Sequence, residues 1–356
     1  MIHLGDITKI KGDNIPQVDI ITFGSPCQDL SIAGKRAGLS GGRSGLFMEA
    51  VRIIKEMREA TNGEYPKYAV WENVPGAFSS NKGEDFRAVL EELARIKETG
   101  ISIPSPDKSK LAKAGLITGD DWSIAWRTMD AQYWGVPQRR LRISLVLDLT
   151  GGRAGEILFE PESLRGHFAP GITPGQATAG AVENGAGTED SLCRVIVRPV
   201  GADLYNGTLT GDKAVTITTA TGLGGANTGP SVIEKIICWI VRRLTPTECE
   251  RLQGYPDGWT DLGGWIDSKG KTHKDADTPR YKALGNSIAL PQWYYVLGGI
   301  ADRLPDNATL GSLFDGIGGF PYVWAQLHDG CKELCVWASE IEEFPIAVTK
   351  KWFSSE

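Results

Sequence analysis

The hydrophobic pattern of the chain switches between two periods. An apolar, β-branched run from Val18 to Phe23 stops at Gly24-Ser25-Pro26, which suits a strand buried on both faces of a parallel sheet. Phe47, Ala50, Val51, Ile54 and Met57 then recur at helical spacing, and a second apolar run, Tyr68 to Trp71, ends at the polar turn Glu72-Asn73-Val74-Pro75. Together these predict a βαβ unit. Phe86, Val89, Leu90 and Leu93 predict another helix, and Ile143 to Leu147 another strand after an arginine cluster. Thr245-Pro246-Thr247-Glu248 reads as a helix start, with Thr at the N-cap, Pro at the first position and Glu at the third, and Gly254 as its stop. A final strand from Leu310 runs into the glycine-rich turn Phe314 to Gly319, and a further one, Leu334 to Ala338, precedes Glu340. The expected class is α/β, a Rossmann-like sheet wound with helices on both faces.

Composition refines this picture. From about Thr150 the chain becomes rich in Gly, Thr and Ala with short alternating stretches, such as Arg194 to Val200 and Ala214 to Thr219, so a smaller, irregular, β-rich second domain is expected. The 356 residues, 41% apolar and 23% charged, are enough for roughly two to three packed domains and exclude disordered or fibrous readings. No apolar run approaches the ~20 residues of a membrane helix, and the start, Met1 to Asp6, lacks a signal-peptide pattern. A cytoplasmic location without a membrane partner is expected. Net charge is −6, which argues against coating nucleic acid by bulk electrostatics. Any such contact must be local, at Lys35-Arg36, Arg139 to Arg142, Arg242-Arg243 or Lys271 to Lys274, although each cluster alone reads as solvated surface. The six cysteines are scattered, so no disulfide framework is expected. Cys331 and Cys335 lack a second pair to complete a zinc site, and no metal is expected.

Three segments follow predicted strands: Ser25-Pro26-Cys27-Gln28, Trp71-Glu72-Asn73-Val74 and Gln138-Arg139-Arg140-Leu141-Arg142. Ligands of open α/β sheets bind outside the carboxyl ends of the strands, so a thiol, a carboxylate and an arginine fork should share one crevice. Such a set suits a heteroaromatic base. A thiolate added at carbon 6 of cytosine makes carbon 5 nucleophilic. A carboxylate can hold ring N3 and the exocyclic amine, and an arginine can meet the carbonyl at carbon 2. Singly, each segment reads as core, turn or surface; the joint occurrence points to chemistry. Glu340, 24 positions after Gly316, sits where an acid commonly takes ribose hydroxyls. On the glycine turn alone, a nicotinamide dinucleotide fits as well as S-adenosylmethionine.

Taken together the segments resemble those of DNA (cytosine-5)-methyltransferases, of the bacterial and phage type. Gly24 to Gln28 match the nucleophile motif, Glu72-Asn73-Val74 the base-holding motif, and Gln138, Arg140 and Arg142 the arginine motif. Arg243 to Pro256 match a bracing segment, Gly285-Asn286-Ser287 a late cofactor motif, and Phe314 to Gly319 the methionine-side loop. The resemblance implies catalytic roles for Cys27, Pro26, Glu72, Asn73, Gln138, Arg140 and Arg142. It implies that Phe314, Asp315, Gly316, Gly318, Gly319, Glu340, Ile341, Asp6, Ile7, Asn286 and Ser287 bind S-adenosylmethionine. It further implies double-stranded DNA as substrate, a flipped base, a monomer, and a closing loop containing Gly34, Gly38, Gly41, Gly42 and Gly45 in which Lys35, Arg36 and Arg43 meet phosphates. Residues 1–150 and 279–356 would form the catalytic domain, and 151–278 the target recognition domain with the bracing segment. One departure is the motif order, because the glycine-rich motif comes late; the order is circularly permuted, which predicts that Trp352-Phe353 and Met1-Ile2-His3 are spatial neighbours on one sheet. Another is Ile341, where relatives carry a larger side chain. Competing readings are a tRNA methyltransferase, a non-catalytic DNA-binding module, and a nicotinamide-dependent redox enzyme.

Overall fold

A computed structural model of the protein describes residues 1–25, 45–105, 112–159, 200–203, 208–211, 230–235 and 239–354. Among the described residues the strands are β1 (Ile2–His3), β2 (Ile20–Phe23), β3 (Tyr68–Asn73), β4 (Ala114–Thr118), β5 (Ser123–Asp130), β6 (Leu141–Asp148), β7 (Val200–Asp203), β8 (Thr208–Gly211), β9 (Pro230–Lys235), β10 (Trp239–Arg243), β11 (Trp265–Ile266), β12 (Thr272–His273), β13 (Leu310–Leu313) and β14 (Cys335–Ser339). Eight of them form one sheet in the order β1-β14-β13-β2-β3-β6-β5-β4. The first five are parallel, and β6, β5 and β4 continue it antiparallel. A separate four-stranded antiparallel sheet has the order β10-β9-β7-β8.

Alternation along the strands sends neighbouring residues to opposite faces. Ile20, Val70, Val146 and Leu310 enter one core, whereas Ile21, Phe23, Ala69, Trp71, Leu145 and Leu313 enter the other. The second core is closed by α1 (Gly45–Ala60) and α2 (Glu84–Ala94) through Phe47, Val51, Ile54, Phe86, Leu90 and Leu93. The first is closed by α3 (Ala154–Leu158), α4 (Pro246–Gln253), α5 (Asp277–Asn286), α6 (Pro291–Ala301), α7 (Gly319–Leu327) and α8 (Glu343–Phe353). Helices cover both faces, as the apolar runs predict. None is long and apolar enough to cross a membrane among the described residues.

The α4 start carries a capping box between Thr245 and Glu248, and Gly254 ends the helix at φ +84°, where a left-handed backbone favours glycine. The Ile143 to Leu147 strand is longer than its apolar stretch: β6 begins at Leu141 and includes Arg142. Antiparallel pairing with both β3 and β5 extends it beyond the hydrophobic signal. The edge hairpin β4–β5 has no counterpart in the sequence reading, because polar residues interrupt both strands and every β4 residue is at least partly exposed. The stretches Arg194 to Val200 and Ala214 to Thr219 lie outside the described residues, save Val200, which opens β7.

Strands from the two ends of the numbering are neighbours: β13 and β14 lie between β1 and β2. The Met1 amino group donates to Phe353 O at 3.0 Å, so the expected proximity is present. Trp352 and Phe353 end α8, however, and are not on a sheet strand; the parallel partner of β1 is β14.

Candidate active site

The carboxyl ends of β2 and β3 meet the amino end of β6 around Glu72; the arginine segment, expected at the carboxyl end of a strand, instead opens β6, because β6 runs antiparallel to β3. In the antiparallel register Glu72 opposes Ser144, so Arg142, two residues before Ser144, shares its face on the diagonal. The Arg142 Nε atom lies 2.9 Å from Glu72 Oε1, with each side chain only 14% exposed. Burial pushes the Glu72 carboxyl above the ordinary range, and the charges of Arg142 and Arg140 oppose the rise. The other oxygen, Oε2, leans over Gly24: a Cβ there would lie 3.2 Å from it. Asn73 Nδ2 donates to Ser25 O at 3.0 Å, Val74 N to Asn73 Oδ1 at 2.7 Å, and Trp71 Nε1 to Ser25 Oγ at 3.1 Å. The backbone leading to Pro26 and Cys27 is therefore tied to the β3 end. Pro26 and Cys27 themselves, and the loop with Gly34, Lys35, Arg36, Gly38, Gly41, Gly42 and Arg43, lie outside the described residues.

Arg140 is buried and bonds away from Glu72, to the end of α5. Its guanidinium donates to Gly285 O at 3.1 Å and to Ser287 O, at the carboxyl end of α5, where the helix dipole favours a cation. Burial, with the Arg142 charge beside it, draws the Arg140 guanidinium down to about 9, so it is still a cation at neutral pH. The Arg140 backbone N–H donates to Asp130 Oδ1 at 3.0 Å, and the same carboxylate receives Gln132 N and Nε2. Gln138 is fully buried, and its amide has no hydrogen-bond partner among the described residues. Asn286 is exposed at the last turn of α5.

The cofactor-side residues gather where β13, β14 and β1 end. Phe314 at φ +55° and Gly316 at φ +58° turn the chain, and Gly318 at φ +79° caps α7. The Glu340 carboxylate receives Gly316 N at 2.9 Å, Ile341 N at 2.7 Å and Glu342 N at 2.8 Å, so it clasps the two loops together. Ser339 Oγ donates to Gly5 O at 2.7 Å, placing the Gly5-Asp6 turn beside it. Asp6 accepts from Thr8 N and Oγ1, which holds its carboxyl below the ordinary range. Ile7 turns its side chain into the core, whereas Ile341 is 69% exposed next to Glu340. Asp315 is buried, and neither carboxylate oxygen has a hydrogen-bond partner among the described residues.

Sequence reasoning assigned no role to Tyr255, Ser25 or Asp130. Tyr255 is buried, its hydroxyl is bonded to Ser287 Oγ, and a Cβ on Gly319 would stand 2.5 Å from that hydroxyl. Only glycine fits there. Tyr255 and Ser287 thus link the arginine side to the glycine turn. The available signal was a tyrosine directly after a helix-ending glycine, inside a segment matched only as a brace.

A sequence model of the family described as "C-5 cytosine-specific DNA methylase" matches residues 1–100. Among curated relatives, a protein of Escherichia phage P1 named DNA N-6-adenine-methyltransferase is 28% identical over 85% of this chain and 55% of its own length. Type II methyltransferase M.BsuFI of Bacillus subtilis is 34% identical over 40% of this chain and 27% of its own. Type II methyltransferase M.HhaI of Haemophilus parahaemolyticus is 24% identical over 84% of this chain and 81% of its own. The chain thus spans about half the phage P1 relative and about a quarter of M.BsuFI. Among solved structures, the S. pombe Dnmt2 methyltransferase aligns with a TM-score of 0.50 at 14% identity, covering 84% of this chain and 83% of that one, a likeness of fold. Over residues 1–100 the chain is thus similar to the C-5 cytosine-specific DNA methylase family, and type II methyltransferases are among the relatives it resembles.

Proposed function

We propose that the protein methylates carbon 5 of cytosine in a specific double-stranded DNA sequence, using S-adenosylmethionine and Cys27 as nucleophile. The observation that carries this reading is the Glu72–Arg142 pair held beside Ser25, two residues before Cys27. With the base flipped out of the stack, the Cys27 thiolate adds to carbon 6 and the displaced electron pair makes carbon 5 nucleophilic. Glu72 holds N3 and the exocyclic amine as the ring gains the proton, and Arg142 meets the carbonyl oxygen at carbon 2. Once carbon 5 carries the methyl group, its proton leaves to a base and the thiolate is expelled. Arg140 acts on the scaffold, through Gly285 and Ser287.

The cofactor residues fit the group they would hold. Phe314, Asp315, Gly316, Gly318 and Gly319 form a backbone cradle, Glu340 and Asp6 flank it, and exposed Ile341 offers an apolar face to an adenine. Ser287 closes the inner wall through Tyr255. S-adenosylmethionine supplies the methyl group on a positively charged sulfur. The motif order supports a circular permutation of the family pattern, with residues 151–278 reading the target. The phage P1 relative's name concerns the adenine amine, whose nitrogen lone pair attacks without an added thiol; the sequence Pro26-Cys27, directly after the Ser25 that Asn73 holds, favours carbon 5 here.

DNA carrying 5-fluorocytosine at the target tests the reading, because fluorine cannot leave as the proton does. The wild-type protein with cofactor should form a stable covalent adduct, and Cys27→Ser should lose it together with turnover. An equally trapped Ser variant would remove Cys27 from the mechanism, and methyl transfer to adenine or to tRNA in its place would remove the substrate.

A further inference from the structure

The turn that follows β1 is held from a helix elsewhere in the sequence. Asp6 caps the short 3-10 helix Ile7–Lys9, and its bonds, to Thr8 N and Oγ1, are local and exposed. Ile7 and Ile10 anchor the turn by entering the second core. Two polar residues of α1 then fix its backbone. Arg52 Nη2 donates to Ile10 O at 2.8 Å and to Ile7 O at 3.4 Å, and Glu56 Oε2 accepts from Gly12 N at 2.6 Å. The turn and the helix touch, since a Cβ on Gly12 would stand 2.3 Å from Ile53 O.

Arg52 is itself aimed by its own helix. Its Nε lies 2.8 Å from Glu49 Oε2, and its Nη1 lies 2.8 Å from both Glu56 oxygens. Such pairs at i, i+3 and i, i+4 add only about 0.2–0.5 kcal/mol each to a helix, and a lysine could make either one. Together they orient the planar guanidinium so that Nη2 reaches both carbonyls of the turn, which a point charge on a flexible stem would not do. In the cofactor reading given above, the glycine turn takes the methionine side. That leaves the turn around Asp6 and Ile7, joined to Ser339 through Gly5 O, on the adenosine side. Resting on that reading, we propose that Arg52 is a positioning residue for the adenosine end of S-adenosylmethionine, acting through the Ile7 and Ile10 carbonyls with Glu49 and Glu56 as its orienting groups. Two carboxylates already neutralise its charge, so its effect on the ligand runs through the place of the backbone and not through attraction.

Calorimetric titration with S-adenosylmethionine and with methylthioadenosine, which keeps the adenosine and lacks the amino acid, tests this. Arg52→Ala should bind both ligands about tenfold more weakly, the scale of a lost charged hydrogen bond. Equal losses are the mark of the adenosine end. Arg52→Lys, which keeps the charge and the stem but not the fork, should bind both about threefold more weakly, and it keeps the experiment decisive where the alanine variant folds poorly. Combining Arg52→Lys with Asp6→Ala should weaken binding by less than the product of the two single effects, because both act through one turn. Single-turnover methylation at saturating cofactor should stay within about twofold of wild type. Urea denaturation run alongside separates the alternative: variants that lose stability yet bind both ligands as wild type does would make Arg52 a brace for α1 alone and overturn the inference. Weakening of S-adenosylmethionine without methylthioadenosine, or slowed methyl transfer at unchanged affinity, would overturn it as well. A wild-type protein that binds neither ligand would overturn the cofactor reading instead.

Discussion

The two halves of the cleft solve opposite problems. On the arginine side most polar groups are already satisfied, Glu72 with Arg142, Arg140 Nη2 with two carbonyls at the α5 end and Asn73 with Ser25, the Gln138 amide being the exception among the described residues. On the cofactor side Glu340 is satisfied by three backbone N–H groups, yet Asp315 next to it has no partner among the described residues. Such a preorganised arrangement keeps its geometry without ligand, which suits the base-holding role proposed above. A cofactor turn with an unpaired carboxylate is instead less stable when empty and gains most on loading. The difference teaches that one sheet edge can contain a rigid half and a ligand-dependent half, joined through Tyr255 and Ser287.

The strongest way to break this contrast is to damage the rigid half. Arg140→Ala leaves the Gly285 and Ser287 carbonyls without their buried donor. A loss of about 3–5 kcal/mol in unfolding free energy is expected, the range for removing one partner of a buried charged contact. Urea denaturation measures it. A loss below about 1 kcal/mol would show that the base side is not held by this contact.

A next, opposite effect sharpens the comparison. The Asp315 carboxyl ordinarily ionises near 3.8 and is held at about 7 in the folded chain. A raised folded value favours the protonated native state, so this group's contribution is fully present below about pH 4. It is lost as pH rises through about 7. Three pKa units correspond to about 4 kcal/mol, an upper bound because Asn also buries an amide. Asp315→Asn should therefore be increasingly more stable than wild type, without cofactor, from pH 5 to pH 8. Urea titrations at several pH values would contradict this if the two stabilities ran in parallel.

Much of the architecture was legible because local and global signals agreed. Val18 to Phe23, interrupted only by Asp19 and Thr22, and Tyr68 to Trp71 are apolar because both sheet faces are covered, and Thr245 to Gly254 carries its caps in its own sequence. The hairpin of β4 and β5 was not legible, since an edge strand needs no continuous apolar face. In the site, Gln138, Arg140 and Arg142 read as one motif expected at a single crevice. Only long-range register shows that Arg142 meets Glu72 while Arg140 turns to α5. Tyr255 was invisible for the same reason, because its partners Ser287 and Gly319 lie 32 and 64 positions away, distances that no local pattern spans.

The smallest expected effect tests whether the halves can be disturbed separately. Ser25 Oγ accepts the indole N–H of Trp71 at 3.1 Å, and Trp71, on β3, is fully buried against Phe47 of α1 and Phe86 of α2. Removing the hydroxyl in Ser25→Ala leaves that N–H without its acceptor in a place water does not reach, which costs about 1–2 kcal/mol. The backbone carbonyl of Ser25 still accepts from Asn73, so the chain leading to Cys27 should loosen without leaving its position. Urea denaturation should therefore show a loss of about 1 kcal/mol, while single-turnover methylation should slow several-fold if Cys27, two residues on in sequence, is the nucleophile proposed above. Cofactor affinity by calorimetry should stay within about twofold, since Ser25 touches neither the glycine turn nor the Tyr255–Ser287 link. A variant that bound S-adenosylmethionine tenfold more weakly would show that the base side sets the cofactor side through a route other than Tyr255, and the division between a rigid and a ligand-dependent half would fail.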